Sequence, residues 1–209
     1  PTRRSSDLDI DFEILPKSFV MKTNHDSGTV VLVKDKNKLN KLKAKNKLEA
    51  SLKRKFGWGV GEWAYSFIPP MIIIEKYIEP ESVSPPADYK FYCIDGVVKF
   101  CHYIYDRGIN SKEQLLTVSG EDLNKPLHEK FTLGSDFIKP TNWEEMLKVA
   151  EKVSADFKCV RVDLFSSEGN IYVGEMTFWP MAGTYRGKGQ EFFGKYLDFD
   201  RNTFKNTFL

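Results

Sequence analysis

A chain of 209 residues that is 41% hydrophobic, 14% aromatic and 29% charged has the composition of a globular protein, long enough to bury a substantial core as one domain or two small lobes. Its net charge of +2 is too small to argue for nucleic acid, no apolar run approaches a membrane span, and no signal peptide is visible, so a soluble cytoplasmic protein is expected. Cys93, Cys101 and Cys159 lie in or beside apolar strand-like runs without metal-ligand spacing, and read as reduced, mostly buried thiols.

Residues 1–8 carry no hydrophobic pattern and resemble the translation of a sequencing adapter. They are read as a non-native leader, and without an initiating Met, N-terminal structure is expected to be missing. Residues 18–23 and 29–34 read as strands around the polar loop 24–28, which carries His25, Ser27 and Gly28. Such a hairpin either folds its loop over phosphates, with Lys22 supplying charge, or is an ordinary hairpin with a surface Lys.

From 35 to 56 the chain is dense in Lys, and Leu39, Leu42, Leu48 and Leu52 predict an amphipathic helix with a basic outer face. That face is either simply solvated or meets an anionic partner, a polymer or a membrane surface. The turn-rich segment 57–63 brings Trp58 and Trp63, which pack on the core or line a site. After Pro69 and Pro70, residues 71–78 predict a strand buried on both faces at its start, and 79–87, with three prolines, predict a loop.

Residues 88–94 and 97–106 flank Asp95-Gly96, a hairpin signal, and the alternation places Asp88, Lys90 and Tyr92 on one face. Residues 107–140 are polar with short apolar islands and are the least readable part. A helix is predicted from 142 to about 157, with Trp143, Met146, Leu147, Ala150 and Val153 as its apolar stripe and Thr141 or Asn142 as its cap. A short helix is expected over 190–196.

The stretch 159–180, C-V-R-V-D-L-F-S-S-E-G-N-I-Y-V-G-E-M-T-F-W-P, reads as a hairpin with a polar turn at 166–170. Arg161 and Asp163 alternate with Val160, Val162 and Leu164, so the charges share one face. Glu175 returns toward them on the second strand. Two converging carboxylates need a cation between them, and Mg²⁺ with its hard oxygen ligands suits the place. The other reading is an Arg161–Asp163 surface pair on an exposed strand.

Four segments in order, L-P-K-S-F-V-M-K-T-N-H-D-S-G (15–28), I-I-I-E-K-Y-I (72–78), D-Y-K-F-Y-C-I-D-G (88–96) and the 159–180 stretch, together resemble the TupA-like ATP-grasp family of teichuronopeptide and other cell-surface polysaccharide biosynthesis. The resemblance implies an α+β ATP-grasp fold: two lobes with antiparallel sheets and packed helices that grip ATP. The small lobe would span 9–78, its N-terminal part incomplete, and the large lobe 79–209 would carry the Mg-ATP site.

Lys22 then matches the strand lysine on the phosphates, and His25, Ser27 and Gly28 the flexible lid over them. Glu75, Lys76, Tyr77 and Ile78 match the hinge that reads adenine, Asp88 a ribose-holding carboxylate, and Lys90 a second phosphate-side cation. Asp163 and Glu175 match the Mg²⁺ carboxylates. Thr177 stands where many such ligases have Asn and still offers an oxygen, while Arg161 matches the cation that steadies the acyl-transfer anion.

The implied chemistry is attack of a substrate carboxylate on the γ-phosphorus of ATP to give an acylphosphate, then displacement of phosphate by an amine. The expected partners are ATP, a carboxylate such as a uronic acid polymer or its precursor, and an amine donor such as an amino acid, with no nucleic acid. Phosphoryl transfer to a hydroxyl on the same fold is a second reading. An inactive polysaccharide- or membrane-associated module is a third.

Overall fold

Runs of β-branched and aromatic residues build the strands, with burial alternating over residues 19–23 but complete over residues 88–94, where both faces of the sheet are covered. The computed structural model describes residues 2–3, 10–57, 59, 61–78, 86–106, 110–128, 130–178 and 180–197. The chain divides into two units, Pro1–Ile78 and Glu79–Leu209. Trp58, Trp179 and most of the 79–87 loop lie outside the described residues.

The first unit holds β1 (Thr2–Arg3), β2 (Phe19–Thr23), β3 (Val30–Val33), α1 (Lys41–Leu52) and β4 (Ile72–Lys76). Its sheet runs β1-β4-β2-β3, antiparallel throughout. Thr2 and Arg3, inside the segment read as a leader, pair with Ile73 and Ile72. Phe19 and Met21 on β2 are fully buried against Val33, Ala44, Leu48 and Ile72. On β4 Ile72 is buried, Ile73 and Ile74 are half-buried, and Glu75 and Lys76 are exposed, so the expected burial on both faces is confined to one residue.

The single helix expected over 35–56 is divided. A 3-10 turn at Lys36–Lys38 is capped by Asp35, Leu39 is extended, and α1 then starts under an Asn40 cap whose side chain accepts from Lys43 N at 2.9 Å. The buried stripe of α1 is Ala44, Leu48 and Ser51, at spacings of four and three. Leu42, expected in the stripe, is 69% exposed. Two residues before Ala44, it projects roughly 200° around the helix from it. Lys41, Lys43, Lys45 and Lys47 are exposed as expected.

The second unit holds β5 (Asp88–Ile94), β6 (Val97–Tyr105), β7 (Lys112–Leu116), β8 (Thr132–Leu133), α2 (Trp143–Ser154), β9 (Cys159–Ser167), β10 (Asn170–Thr177) and α3 (Gly187–Gly194). The sheet order is β10-β9-β5-β6-β7-β8. Its pairs are antiparallel except β7–β8, which is parallel and departs from the all-antiparallel expectation. One face packs Phe91, Cys93, Val160, Val162 and Leu164 against Trp143, Met146, Leu147 and Ala150 of α2.

The turn of the β9–β10 hairpin is Glu168-Gly169 alone, both at positive φ (51° and 73°), while Ser166, Ser167 and Asn170 stay in the ladder. A bulge between Val173 and Glu175 places Glu175 opposite Asp163. Gly174 sits at that bulge, where a Cβ would lie 2.7 Å from the Phe165 ring.

Asn142 occupies the N-cap position of α2 without a capping bond. Its amide donates instead to Ser166 Oγ (3.1 Å) and Gly169 O (3.3 Å), tying the helix to the hairpin. The helix ends at Ser154 rather than near 157, and α3 begins at Gly187 rather than 190. Cys93 and Cys101 are buried, Cys159 is half-buried, and all three are free thiols. Among the described residues, no helix is long and apolar enough to cross a membrane.

Candidate active site

The face of the second sheet turned away from α2 has two halves. Tyr92, Ile94, Phe100 and Leu115 are covered by Leu127, Tyr185 and Phe193, the last on α3. The other half carries charges. Lys90 stands opposite Asp163 and Tyr92 opposite Arg161 across β5–β9, while Glu175 stands opposite Asp163 and Thr177 opposite Arg161 across β9–β10. The spacing R-V-D on one strand and E-M-T on its neighbour keeps each polar pair on one face, and the bulge after Val173 brings the four side chains to one patch.

Arg161 binds the patch together. Its Nε donates to Asp163 Oδ1 at 2.6 Å, and its Nη2 donates to Asp163 Oδ2 at 2.8 Å, Glu175 Oε1 at 2.9 Å and Thr177 Oγ1 at 2.9 Å. Lys90 Nζ donates to Asp163 Oδ2 and lies 3.9 Å from Asp88 Oδ2. Thr177 in turn donates to Glu175 Oε1 at 3.2 Å. The reading of Arg161–Asp163 as an exposed surface pair is overturned for Asp163, which is 3% exposed and held by two cations.

Burial by itself raises the Asp163 carboxyl, but Arg161 and then Lys90 outweigh it and hold it below the ordinary carboxylate range. Burial likewise opposes the charge on Arg161, and Asp163 more than restores it. Tyr92 and Tyr185 meet hydroxyl to hydroxyl at the border between the halves. Burial pushes Tyr92 well above the ordinary phenol value and raises Tyr185 as well.

The cation between the two carboxylates here is the Arg161 guanidinium. Among the described residues, no cluster of three or more His, Cys, Asp or Glu forms a metal cage. The donor set nonetheless suits Mg²⁺, since Asp163, Glu175 and Thr177 offer oxygens only and a hard cation prefers them, completing its shell with water and phosphate. Each carboxylate oxygen has two lone pairs, so Asp163 Oδ1 can keep its bond from Arg161 and still serve a metal.

The remaining predicted residues lie in the first unit. Lys22 on β2 pairs with Glu75 on β4 at 2.9 Å. Ser27 and Gly28 are exposed, Gly28 at φ 88°, while Lys76 is exposed, Tyr77 buried and Ile78 half-buried. His25 is buried, and neither ring nitrogen has a hydrogen-bond partner among the described residues. Beside it Asp26 accepts from the Thr23, Thr29 and Ser51 hydroxyls and from Arg54 Nη2. Burial raises the Asp26 carboxyl, but those hydroxyls, Ser51 first, and then Arg54 bring it below its ordinary value. The loop read as a flexible lid is therefore anchored at its base through Asp26.

Asp26, Tyr185, His102 and Glu113 are not among the residues predicted from the sequence. His102 and Glu113 carried the same signal as Lys90, a polar side chain inside a strand of apolar and aromatic residues. Tyr185 and Arg54 carried none, since each reaches its partners from a distant part of the chain.

No curated protein matches the chain. Among solved structures it is similar to D-alanine–D-alanine ligase from Bacillus anthracis complexed with ATP, at 21% identity over 85% of this chain and 47% of that one, TM-score 0.43. It is similar to the Helicobacter pylori D-alanine–D-alanine ligase at 15% identity over 90% and 51%, TM-score 0.40. The ATP-grasp ligase PsnB complexed with minimal precursor, Mg and ADP is 12% identical over 82% and 40%, TM-score 0.39. The chain thus spans about half or less of the length of these structures. A family model, TupA-like ATPgrasp, matches residues 2–198, and the chain belongs to the TupA-like ATP-grasp family.

Proposed function

We propose that this protein is an ATP- and Mg²⁺-dependent carboxylate–amine ligase of cell-surface polysaccharide biosynthesis, joining an amino acid to a uronic acid polymer or its precursor. The observation that carries the reading is the Arg161 guanidinium joined at once to Asp163, Glu175 and Thr177, with Lys90 on the far side of Asp163. Such a patch of two cations and two carboxylates is of little use to a bare surface, but matches the charges of a metal–triphosphate.

Asp163, Glu175 and Thr177 would hold Mg²⁺, which screens phosphate charge and polarises phosphoryl oxygens when bound. Lys90 neutralises charge on the phosphates as the substrate carboxylate attacks. Arg161 turns a donor to the acyl oxygen as it becomes a tetrahedral anion. Asp88, beside Lys90, holds ribose hydroxyls.

In the first unit, Lys22 adds a cation for phosphate, and Ser27 and Gly28 offer backbone N–H groups from the exposed tip of their loop. His25 fills the base of that loop. Glu75 and the backbone of Lys76, Tyr77 and Ile78 read the adenine edge. The exposed lysines of α1 supply a face for an anionic polymer or membrane surface.

Calorimetric titration with ATP and Mg²⁺ tests the reading. Asp163→Asn weakens binding by about 1–3 kcal/mol, the scale of a lost charge-assisted hydrogen bond. Unchanged affinity removes Asp163 from the nucleotide site. Mass spectrometry of products from hexuronate oligosaccharides, amino acids and ATP then shows an amide. A phosphoester would make the protein a phosphotransferase, and salt-sensitive polymer adhesion without Mg-ATP binding would make it an inactive module.

A further inference from the structure

The strand face that carries Lys90 and Asp163 continues onto β6 and β7. His102 stands opposite Lys90, and Leu115 stands opposite His102, which puts Glu113, two residues earlier on β7, on the same face. His102 Nε2 lies 2.6 Å from Glu113 Oε2. Glu113 is wholly buried and also accepts from the backbone N–H groups of Leu127 at 3.1 Å and of His128 at 3.1 and 3.2 Å. Three donors converging on one carboxyl group fix its position, and that position orients the ring and its tautomer. With the proton on Nε2, Nδ1 carries the lone pair.

The ligase reading leaves this pair unused, yet its chemistry calls for a base. An amino acid arrives as an ammonium ion and cannot attack an acyl carbon until it loses a proton. Lys90 and Arg161 on the same face are cations, and Asp163 is engaged by both. Burial holds His102 below the ordinary imidazole value, against the opposing pull of Glu113, which leaves its ring neutral at neutral pH.

We propose that His102, oriented by Glu113, is the base that deprotonates the amine donor. This rests on the ligase reading. One proton passes from the ammonium nitrogen to His102 Nδ1. The freed nitrogen lone pair forms the bond to the acyl carbon as the C–O bond to phosphate breaks, its electron pair leaving with the phosphate. The second proton goes to that phosphate, and the products are amide, phosphate and a protonated His102 that returns its proton to water.

A purely structural pair would only tie β6 to β7 and β7 to residues 127–128, and hydroxylamine separates the two roles. It is already neutral at pH 7 and attacks an acylphosphate without a base. The parent, His102→Gln and Glu113→Gln are each supplied with ATP, Mg²⁺ and hexuronate oligosaccharides, with either hydroxylamine or amino acids. His102→Gln is expected to lose about 10²–10⁴-fold in amide formation while keeping most of its hydroxamate formation, and Glu113→Gln to shift the same way by less. Parallel loss of both products, or unchanged amide formation, overturns the base role. Absence of hydroxamate from the parent overturns the ligase reading and this inference with it, whereas hydroxamate without selective loss of amide overturns only the assignment to His102.

Discussion

Asp26 in the first unit and Asp163 in the second are buried aspartates made tolerable in different ways. Asp26 is surrounded by the hydroxyls of Thr23, Thr29 and Ser51, with Arg54 reaching in from a position 56% exposed. Asp163 is held by two cations that are themselves largely buried, Lys90 and Arg161. Hydroxyls satisfy a carboxylate without adding charge, so the Asp26 cluster is closed and complete and anchors a loop. Around Asp163 the charges form a shared network instead, since Lys90 also lies 3.9 Å from Asp88 and Arg161 2.9 Å from Glu175, so two cations serve three carboxylates. Buried cations shared among several carboxylates can turn toward an anion or a metal-bound phosphate that comes and goes.

The largest expected effect follows from that sharing. Asp163→Ala leaves two buried cations facing each other and should destabilise the second unit by about 3–5 kcal/mol, read from urea denaturation. Asp26→Ala should cost the first unit less, about 1–3 kcal/mol, because Arg54 can turn to water and the Thr23 and Ser51 hydroxyls already lie 3.0 Å apart. Equal losses would erase the distinction between a closed cluster and a charged site.

Acid sharpens the same contrast. The folded-state Asp26 carboxyl is held below its ordinary value, so its contribution is present at and above the ordinary carboxylate range and is lost as pH falls through the lower, folded value. Urea midpoints for the parent and Asp26→Asn should differ by a constant amount from about pH 7 to about pH 5, and the gap should close only in stronger acid. A gap that closes near neutrality would place the titrating group elsewhere.

How much of this was legible beforehand depended on whether the partner lay within one strand pair. Arg161 and Asp163 were legible on one face because period-two alternation determines direction, whereas Glu175, expected only to return toward them, reaches that face through a bulge after Val173 that alternation does not show. Leu42 was misplaced because leucine content suggested a stripe, while the helix phase, set by the Asn40 cap, buried Ala44 and Ser51 instead. The Asp26 cluster was invisible since its members come from a loop, a strand end and the far end of α1. The loop's composition, with Asn24, Asp26, Ser27 and Gly28, suggests mobility, and nothing local shows that Ser51 and Arg54 fasten it.

The smallest expected effect separates stability from binding at Lys22. Its ion pair with Glu75 joins side chains that are 31% and 46% exposed, so solvent screens it. Lys22→Met should therefore change the stability of the first unit by no more than about 1 kcal/mol. Phosphate would compete with Glu75 for the ammonium, and a multiply charged, less mobile partner holds it more strongly. Titration with Mg-ATP should then show a loss of affinity larger than the loss of stability. The reverse order, a stability loss with nucleotide binding intact, would make Lys22 a tie between β2 and β4 and nothing more.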